Sequence, residues 1–250
     1  MKPIHTIDDV INILQDIINE SIENESPLGY FAVLYQKVTI KVKEGIQSDY
    51  FDDNQRMEKL DIIFAKRYIE AYYNYKNNTP ITSSWERAFS IANKYWYIVL
   101  QHLLVGMNAH INLDLGIAAA EISKGQNIQN LHDDFNKINE ILSSLVNDVQ
   151  DDLAKVYPFL KKILIWTKDV DDFLVDFSME LARNGAWDFA VELANTPTSD
   201  FENTIQKRDI KITEKADLVI SPGFIPKLIF MIIRISERGT VAQKINDLTD

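Results

Sequence analysis

The chain reads as an all-α protein, and three observations carry that reading. Over 250 residues it holds only 8 glycines and 7 prolines, too few for the many tight turns of an all-β fold. Apolar residues make up 46% of the sequence and recur at spacings of three and four over successive segments. The strongest turn signals, Ser26-Pro27, Asn184-Gly185 and Ser221-Pro222-Gly223, fall between those segments rather than inside them. Together they predict a single helical bundle domain over residues 1–250 with roughly eight to ten helices, short connections and a long buried central helix. The strongest signal for a subdomain break is near 196–199.

Thr6 followed by Asp9 has the form of a capping box, with Asp in place of the usual Glu. Val10, Ile11, Ile13, Leu14, Ile17 and Ile18 follow at helical spacing, so a first helix is expected over 6–24. Ser26-Pro27 ends it, and Pro27 suits the first turn of a second helix over 28–45 that closes at Gly45. Within it Val38-Thr39-Ile40-Lys41-Val42 is β-branched and votes for strand. The flanking pattern is helical and no partner strand is evident, so helix is preferred. A third helix is expected over 54–77, with apolar residues at 57, 60, 64, 68 and 72. After the Asn77–Pro80 loop, Ser83 or Ser84 caps a segment containing Trp85, Glu86 and Arg87. Its pattern continues through Trp96 to Glu121, with room for a kink, and Lys124-Gly125 ends it. Further helices are expected over 129–156, 159–167, 170–183, 186–195, 200–219 and 224–238, with Gly239 as the final stop.

The formal charge is −11 and the pI about 4.9, so the chain has no global field to attract a phosphate backbone, and nucleic acid is not an expected partner. It has no cysteine, which removes disulfides, Cys-ligated zinc, iron–sulfur clusters and thiol nucleophiles and fits a reducing cytoplasm. The opening MKPIHTIDDVINILQ lacks the uninterrupted apolar core of a signal peptide. No uncharged apolar run reaches the ~18 residues of a transmembrane segment. A Gly-rich phosphate loop, a nucleophile elbow and a dinucleotide fingerprint are all missing. The expectation is a cytoplasmic protein.

Chemistry concentrates in Gln101–Glu121, QHLLVGMNAHINLDLGIAAAE. This apolar helix pattern carries two histidines, two asparagines and an aspartate, and buried polar groups need partners. On a regular helix His110 and Asp114 lie one turn apart at about 40°, and His102 lies two turns earlier at about 80° from His110. Gly106, midway between the histidines, costs helix stability of roughly 1 kcal/mol relative to Ala. It suits close approach of another helix or space for a ligand. His102, His110 and Asp114 are therefore candidate metal ligands, with Zn, Mn or Fe as the candidate ion, or an acid–base cluster. Asp61, on an apolar face continuing through Ala65, Tyr68 and Tyr72, and Asp134 are candidates to complete the shell or act as general base. Asn139 is a lesser candidate. The competing reading is structural: His110 and Asp114 bond only each other, and Asn108 and Asn112 satisfy nearby helix ends. Asp176, Glu180 and Arg183 read as a salt-bridge set, Arg67 and Arg87 as candidate anion contacts for which the solvated reading is preferred, His132 as surface, and His5 has no role.

QHLLVGMNAHINLDLGIAAAE resembles the signature of an uncharacterised bacterial family, domain of unknown function 5995. LGYFAVLYQKVTIKVKEGI, RMEKLDIIFAKRYIEAY, DFNKINEIL and DFSMELARNGAWDFA resemble it as well, so the likeness runs over most of the chain. It implies a single all-helical domain and no particular substrate. A looser likeness is to zinc-dependent phospholipase C and P1-type nucleases, which place H-x3-D ligand pairs on core helices. Here His110 and Asp114 match, while Ala118 stands where those enzymes carry a further histidine.

Three functions follow as expectations. The first is a metal-assisted hydrolase or related small-molecule enzyme with its site on the central helix. The second is a non-catalytic bundle binding an apolar small molecule or lipid, supported by Tyr68, Tyr72, Tyr73, Trp85, Tyr95, Trp96 and Tyr97. The third is a peripheral membrane module using 224–238, where Lys227, Arg234 and Arg238 edge an apolar helix.

Overall fold

A computed structural model of the chain describes residues 2–144, 151–153, 155–157 and 185–249. The described residues form helices and the connections between them, with no strand among them. The elements are α1 (Ile7–Glu23), α2 (Gly29–Gln47), α3 (Asn54–Lys76), α4 (Ser83–Phe89), α5 (Val99–Ala109), a π-helical segment (His110–Leu115) and α6 (Gly116–Ile122). A 3-10 turn (Ile128–Leu131) then leads into α7 (His132–Ser144). The chain continues with α8 (Gly185–Ala194), α9 (Phe201–Ile220), α10 (Phe224–Ser236) and α11 (Val241–Thr249). The helices expected over 159–167 and 170–183, and the Asp176, Glu180 and Arg183 set, lie outside the described residues.

α1 starts where its cap says it should. Thr6 Oγ1 accepts from Asp9 N at 3.1 Å, and Asp9 Oδ2 accepts from Thr6 N at 3.0 Å. The helix buries Val10, Ile13, Leu14, Ile17 and Ile18 along α2. The strand vote inside α2 loses because Val38 and Val42 fall on its buried side and Thr39 spends its hydroxyl on the Tyr35 carbonyl one turn back, at 2.9 Å.

Three boundaries differ from the sequence reading. The helix that opens at Ser83 stops at Phe89 and restarts only at Val99, because Asn93–Trp96 presents no face to the core and lies exposed. The expected 129–156 helix opens as a 3-10 turn before α7. Gly239 does not end the fold: Thr240 and Gln243 form a second capping box, with bonds of 3.2 and 2.9 Å, and start α11. α11 packs Ile245 and Leu248 against α1 and α2.

The axis of the fold is the continuous stretch from α5 through the π segment to α6. It is long and apolar enough to cross a bilayer, but 94% of its apolar 18-residue span is buried inside the fold, so its apolarity is that of a core helix. α2, α3, α4, α8 and α9 pack around it. α9 runs antiparallel along α5 and is sewn to it at two points. Gln101 Nε2 donates to the Val219 carbonyl and Asn108 Nδ2 to the Ile212 carbonyl, each at 2.8 Å. The two donors and the two acceptors are each two turns apart, so both bonds form without bending either helix.

Gly106 is where α2 meets the axis. A Cβ there would sit 2.5 Å from Phe31 Cδ2. Close approach, rather than ligand space, accounts for this glycine. We expect Gly106→Ala to lower stability by about 1–3 kcal/mol despite the better helix propensity of alanine. Calorimetry should show Tm falling by about 3–8 °C. An unchanged or higher Tm would mean that Phe31 swings aside at no cost.

Candidate functional site

The central helix changes pitch where its polar residues lie. His110–Leu115 is π-helical and all six of its residues are buried. A π turn closes i→i+5 rather than i→i+4 and often marks a functional position. Arg208 of α9 supports it, donating Nε to the Asn112 carbonyl at 3.1 Å and Nη2 to the Gly185 carbonyl at 2.8 Å. The turn, α9 and the start of α8 are thereby tied together.

Asp114 is the hub of the segment. Its Oδ1 accepts from Arg67 Nε at 2.7 Å, and its Oδ2 accepts from Trp85 Nε1 at 2.8 Å and faces His110 Nδ1 at 3.2 Å. Burial opposes its charge, but Arg67 and His110, with the Trp85 N–H, hold the carboxyl below its ordinary range. Burial also works against the Arg67 guanidinium, and the Asp114 carboxylate more than offsets it, so Arg67 titrates above its usual value. Burial keeps the His110 imidazole below its ordinary range, and Asp114 pulls it only part of the way back. The ring is therefore neutral at physiological pH. Opposite an ionised Asp114, Nδ1 carries the proton, which leaves Nε2 as an acceptor.

An aromatic cage encloses that ring. Phe64 stacks on it with centroids 3.6 Å apart and planes at 7°. Tyr35 meets it edge-on at 4.3 Å, and Phe31, Trp85 and Tyr68 stand 5.8, 5.9 and 6.0 Å away. α3 supplies Asp61, Phe64 and Tyr68 from one face, at spacings of three and four.

Some polar atoms on these residues and their neighbours have no protein partner. Among the described residues seven buried side-chain atoms lack a hydrogen-bond partner, and four of them belong to His110 (Nε2), to the Tyr35 (Oη) and Tyr68 (Oη) whose rings face it, and to Asp61 (Oδ2) on the same α3 face as Phe64. Such atoms are uncommon, and each requires an explanation. Burial, with Glu58 adding to it, raises the Asp61 carboxyl to about 7. Burial first, and then the charge of Asp61, pushes the Tyr35 phenol well above its ordinary value.

Three other carboxylates are spent at helix starts, where N–H groups have no partner within the helix. Asp134 accepts from Asp52 N at 2.6 Å and Asp53 N at 3.1 Å at the opening of α3, and from Arg56 Nη2 at 2.9 Å. Asp209 accepts from Ser83 N at 2.7 Å and Ser84 N at 2.9 Å at the opening of α4. Glu237 accepts from Val99 N at 2.9 Å and Tyr157 Oη at 2.6 Å at the opening of α5, and pairs with Lys244 at 2.7 Å.

The residues that the sequence nominated are thus divided. His110 and Asp114 are joined, and Asp61 lies on the α3 face that supplies Phe64 and Tyr68, near enough to Tyr35 for its charge to act there. Asp134 is committed to the start of α3. His102 lies two turns from His110, about 12 Å along the axis. Its ring is edge-on to Tyr30 at 5.5 Å, and burial lowers its pKa to about 3 against the pull of Glu237. Among the described residues no three His, Asp or Glu side chains form a group that could hold a metal ion. The expected metal set of His102, His110 and Asp114, completed by Asp61 and Asp134, is not assembled. Asn108 and Asn112 are structural, bonded to α9 and to each other. Sequence reasoning preferred a solvated Arg67 to an anion contact, and it placed Trp85 among the aromatic residues without a part in the polar cluster. It also missed Tyr35 and Phe64. Arg87, also read as solvated, pairs with Asp217.

Residues 7–222 match the family described as "Family of unknown function (DUF5995)". The chain belongs to that family. No curated protein and no solved structure matches it. Nothing in these comparisons carries the looser likeness to phospholipase C and P1-type nucleases, and Ala118 lies fully buried in the core. The matched residues of this DUF5995 chain include α2, α3, α4 and the central helix, and so every side chain of the cage.

Proposed function

We propose that this DUF5995 chain is an enzyme that carries out metal-independent proton transfer on a small polar molecule inside the cage. His110 is the base through Nε2 and Asp61 the acid. Asp114 and Arg67 position the imidazole and fix its tautomer. The observation that carries this reading is that His110 Nε2, beside the orienting Asp114, is buried without a protein partner, as are polar atoms of Tyr35 and Tyr68, whose rings face it, and of Asp61 on the adjoining face of α3. The titration behaviour agrees with it: one carboxyl is held below its ordinary range and the other is raised to about 7, which separates the orienting acid from the one that exchanges protons. A metal-assisted version lacks support, because both Asp114 oxygens are already bonded to Arg67, Trp85 and His110. Phe31, Phe64 and Trp85 pack against the His110 ring, so this reading requires their side of the fold to open for substrate and to exclude water when closed.

The test is a panel of small esters, amides and hydroxy- and keto-acids assayed with EDTA present, with His110→Gln and Asp61→Asn run in parallel. Turnover that persists in EDTA and falls by about 100-fold or more in both variants is expected. Turnover that needs an added metal, or that both variants retain, overturns the reading. So does a panel with no turnover at all.

A further inference from the structure

α10 is apolar on two opposite sides. Phe230 and Ile233 point into the core. Phe224 (83% exposed), Leu228, Ile232 and Ile235 (75% exposed) follow at spacings of three and four on the side open to solvent. A surface helix ordinarily turns polar residues outward. The apolar patch continues onto the connection before α5, where Tyr95 and Trp96 are exposed and the Arg234 guanidinium lies 4.3 Å from the Tyr95 ring. A groove of about 750 Å³, lined among others by Trp96, Tyr97, Phe224, Lys227 and Met231, joins the two.

The charge here is opposite to that of the whole molecule. The chain carries −11, yet residues 94–98 and 221–238 hold Lys94, Lys227, Arg234 and Arg238 against a single acid, Glu237. That acid is buried and bound by Lys244 and Arg234. An exposed apolar stripe, an indole and a phenol beside it and a basic edge are what a helix lying in a bilayer interface presents. We propose that α10, with Tyr95 and Trp96, docks this protein on an anionic membrane surface. Aliphatic and aromatic side chains enter the headgroup boundary while Lys227 and Arg238 meet the lipid charge. The acidic remainder of the molecule is repelled by the same surface, so this face alone is presented. α10 follows the last residue matched by the DUF5995 family, and the inference does not depend on the chemistry of the cage.

Co-sedimentation of the full chain with vesicles tests this. Binding to phosphatidylglycerol vesicles should exceed binding to phosphatidylcholine vesicles by about tenfold or more at low salt and weaken as salt is raised. Leu228→Glu with Ile232→Glu, at exposed positions that leave the circular dichroism spectrum unchanged, should abolish it, and Lys227→Glu with Arg238→Glu should reduce it severalfold. Equal binding to both lipids, binding retained by the Leu228/Ile232 variant, or no binding overturns the proposal. A lipid-free dimer that the same variant dissolves, without vesicle binding by the parent, would assign the face to a second copy and likewise overturn it.

Discussion

Replacing Asp114 with alanine should cost this protein about 3–5 kcal/mol of folding stability, the amount typical of removing one partner from a buried charge pair. Its two oxygens serve three donors on three elements: Arg67 on α3, Trp85 on α4 and His110 within the π segment. The Arg67 side chain is a quarter exposed and can turn to water, which softens its loss. The Trp85 N–H and the His110 Nδ1–H have no such exit, and each donor left unpaired costs about 1–3 kcal/mol. Urea unfolding of Asp114→Ala at neutral pH should show the midpoint falling with the slope unchanged. A loss below about 1 kcal/mol would show that the hub does not hold these elements together. Arg67→Met combined with Asp114→Leu should cost less than the two single changes added, because the double variant leaves no buried charge unpaired. The folded Asp114 carboxyl titrates below its unfolded value, so its contribution is complete above about pH 4 and is lost as pH falls further, through the folded pKa.

How far the sequence revealed this arrangement depended on whether the signal was local. The capping box at Thr6, the apolar stripe of α1 and the polar stripe of the central helix are each written within one segment, and all were legible. The Thr240–Gln243 box is equally local, but it directly follows Gly239, which reads as a stop. The π segment could not be read that way. One extra residue per turn leaves the apolar pattern of HINLDL unchanged, and the Arg208 contact that supports it comes from a helix almost a hundred residues later. Arg67 was readable in part: it falls three residues after Phe64 and seven after Leu60, on the buried stripe of α3, where a solvated side chain is out of place. Asp134 misled for an instructive reason. A carboxylate among apolar residues signals that something compensates it, and helix-start N–H groups provide that compensation as well as a metal or substrate does. Asp134, Asp209 and Glu237 all take this route. Asp61 is different because, among the described residues, its Oδ2 is the one buried carboxylate oxygen without a partner.

That difference predicts a substitution that stabilises. Asp61→Asn should raise stability at pH 8 by up to ~4 kcal/mol, the cost of holding ionised a carboxyl that titrates near 7 in the fold and at 3.8 when exposed. The sign follows from proton binding. Between those two values the folded chain binds the Asp61 proton more tightly than the unfolded chain does, so this group favours folding fully below about pH 4. Its contribution is lost as pH rises through about 7. His102 acts in the opposite direction over nearly the same range. Held at about 3 by burial against an ordinary 6.5, it costs nothing above 6.5 and destabilises progressively as pH falls towards 3. The two slopes offset each other in the parent protein, and its own pH profile therefore conceals both. The difference between variant and parent isolates Asp61. Denaturant midpoints for the pair should coincide near pH 4 and separate steadily up to pH 8, with the variant the more stable. If Asp61→Asn brings no gain in stability at pH 8, the carboxylate has a compensating partner when ionised and is not the raised acid on which the chemistry of the cage depends. If the variant gains stability while losing turnover, the destabilising carboxylate is retained for its reactivity, the trade expected of a working site.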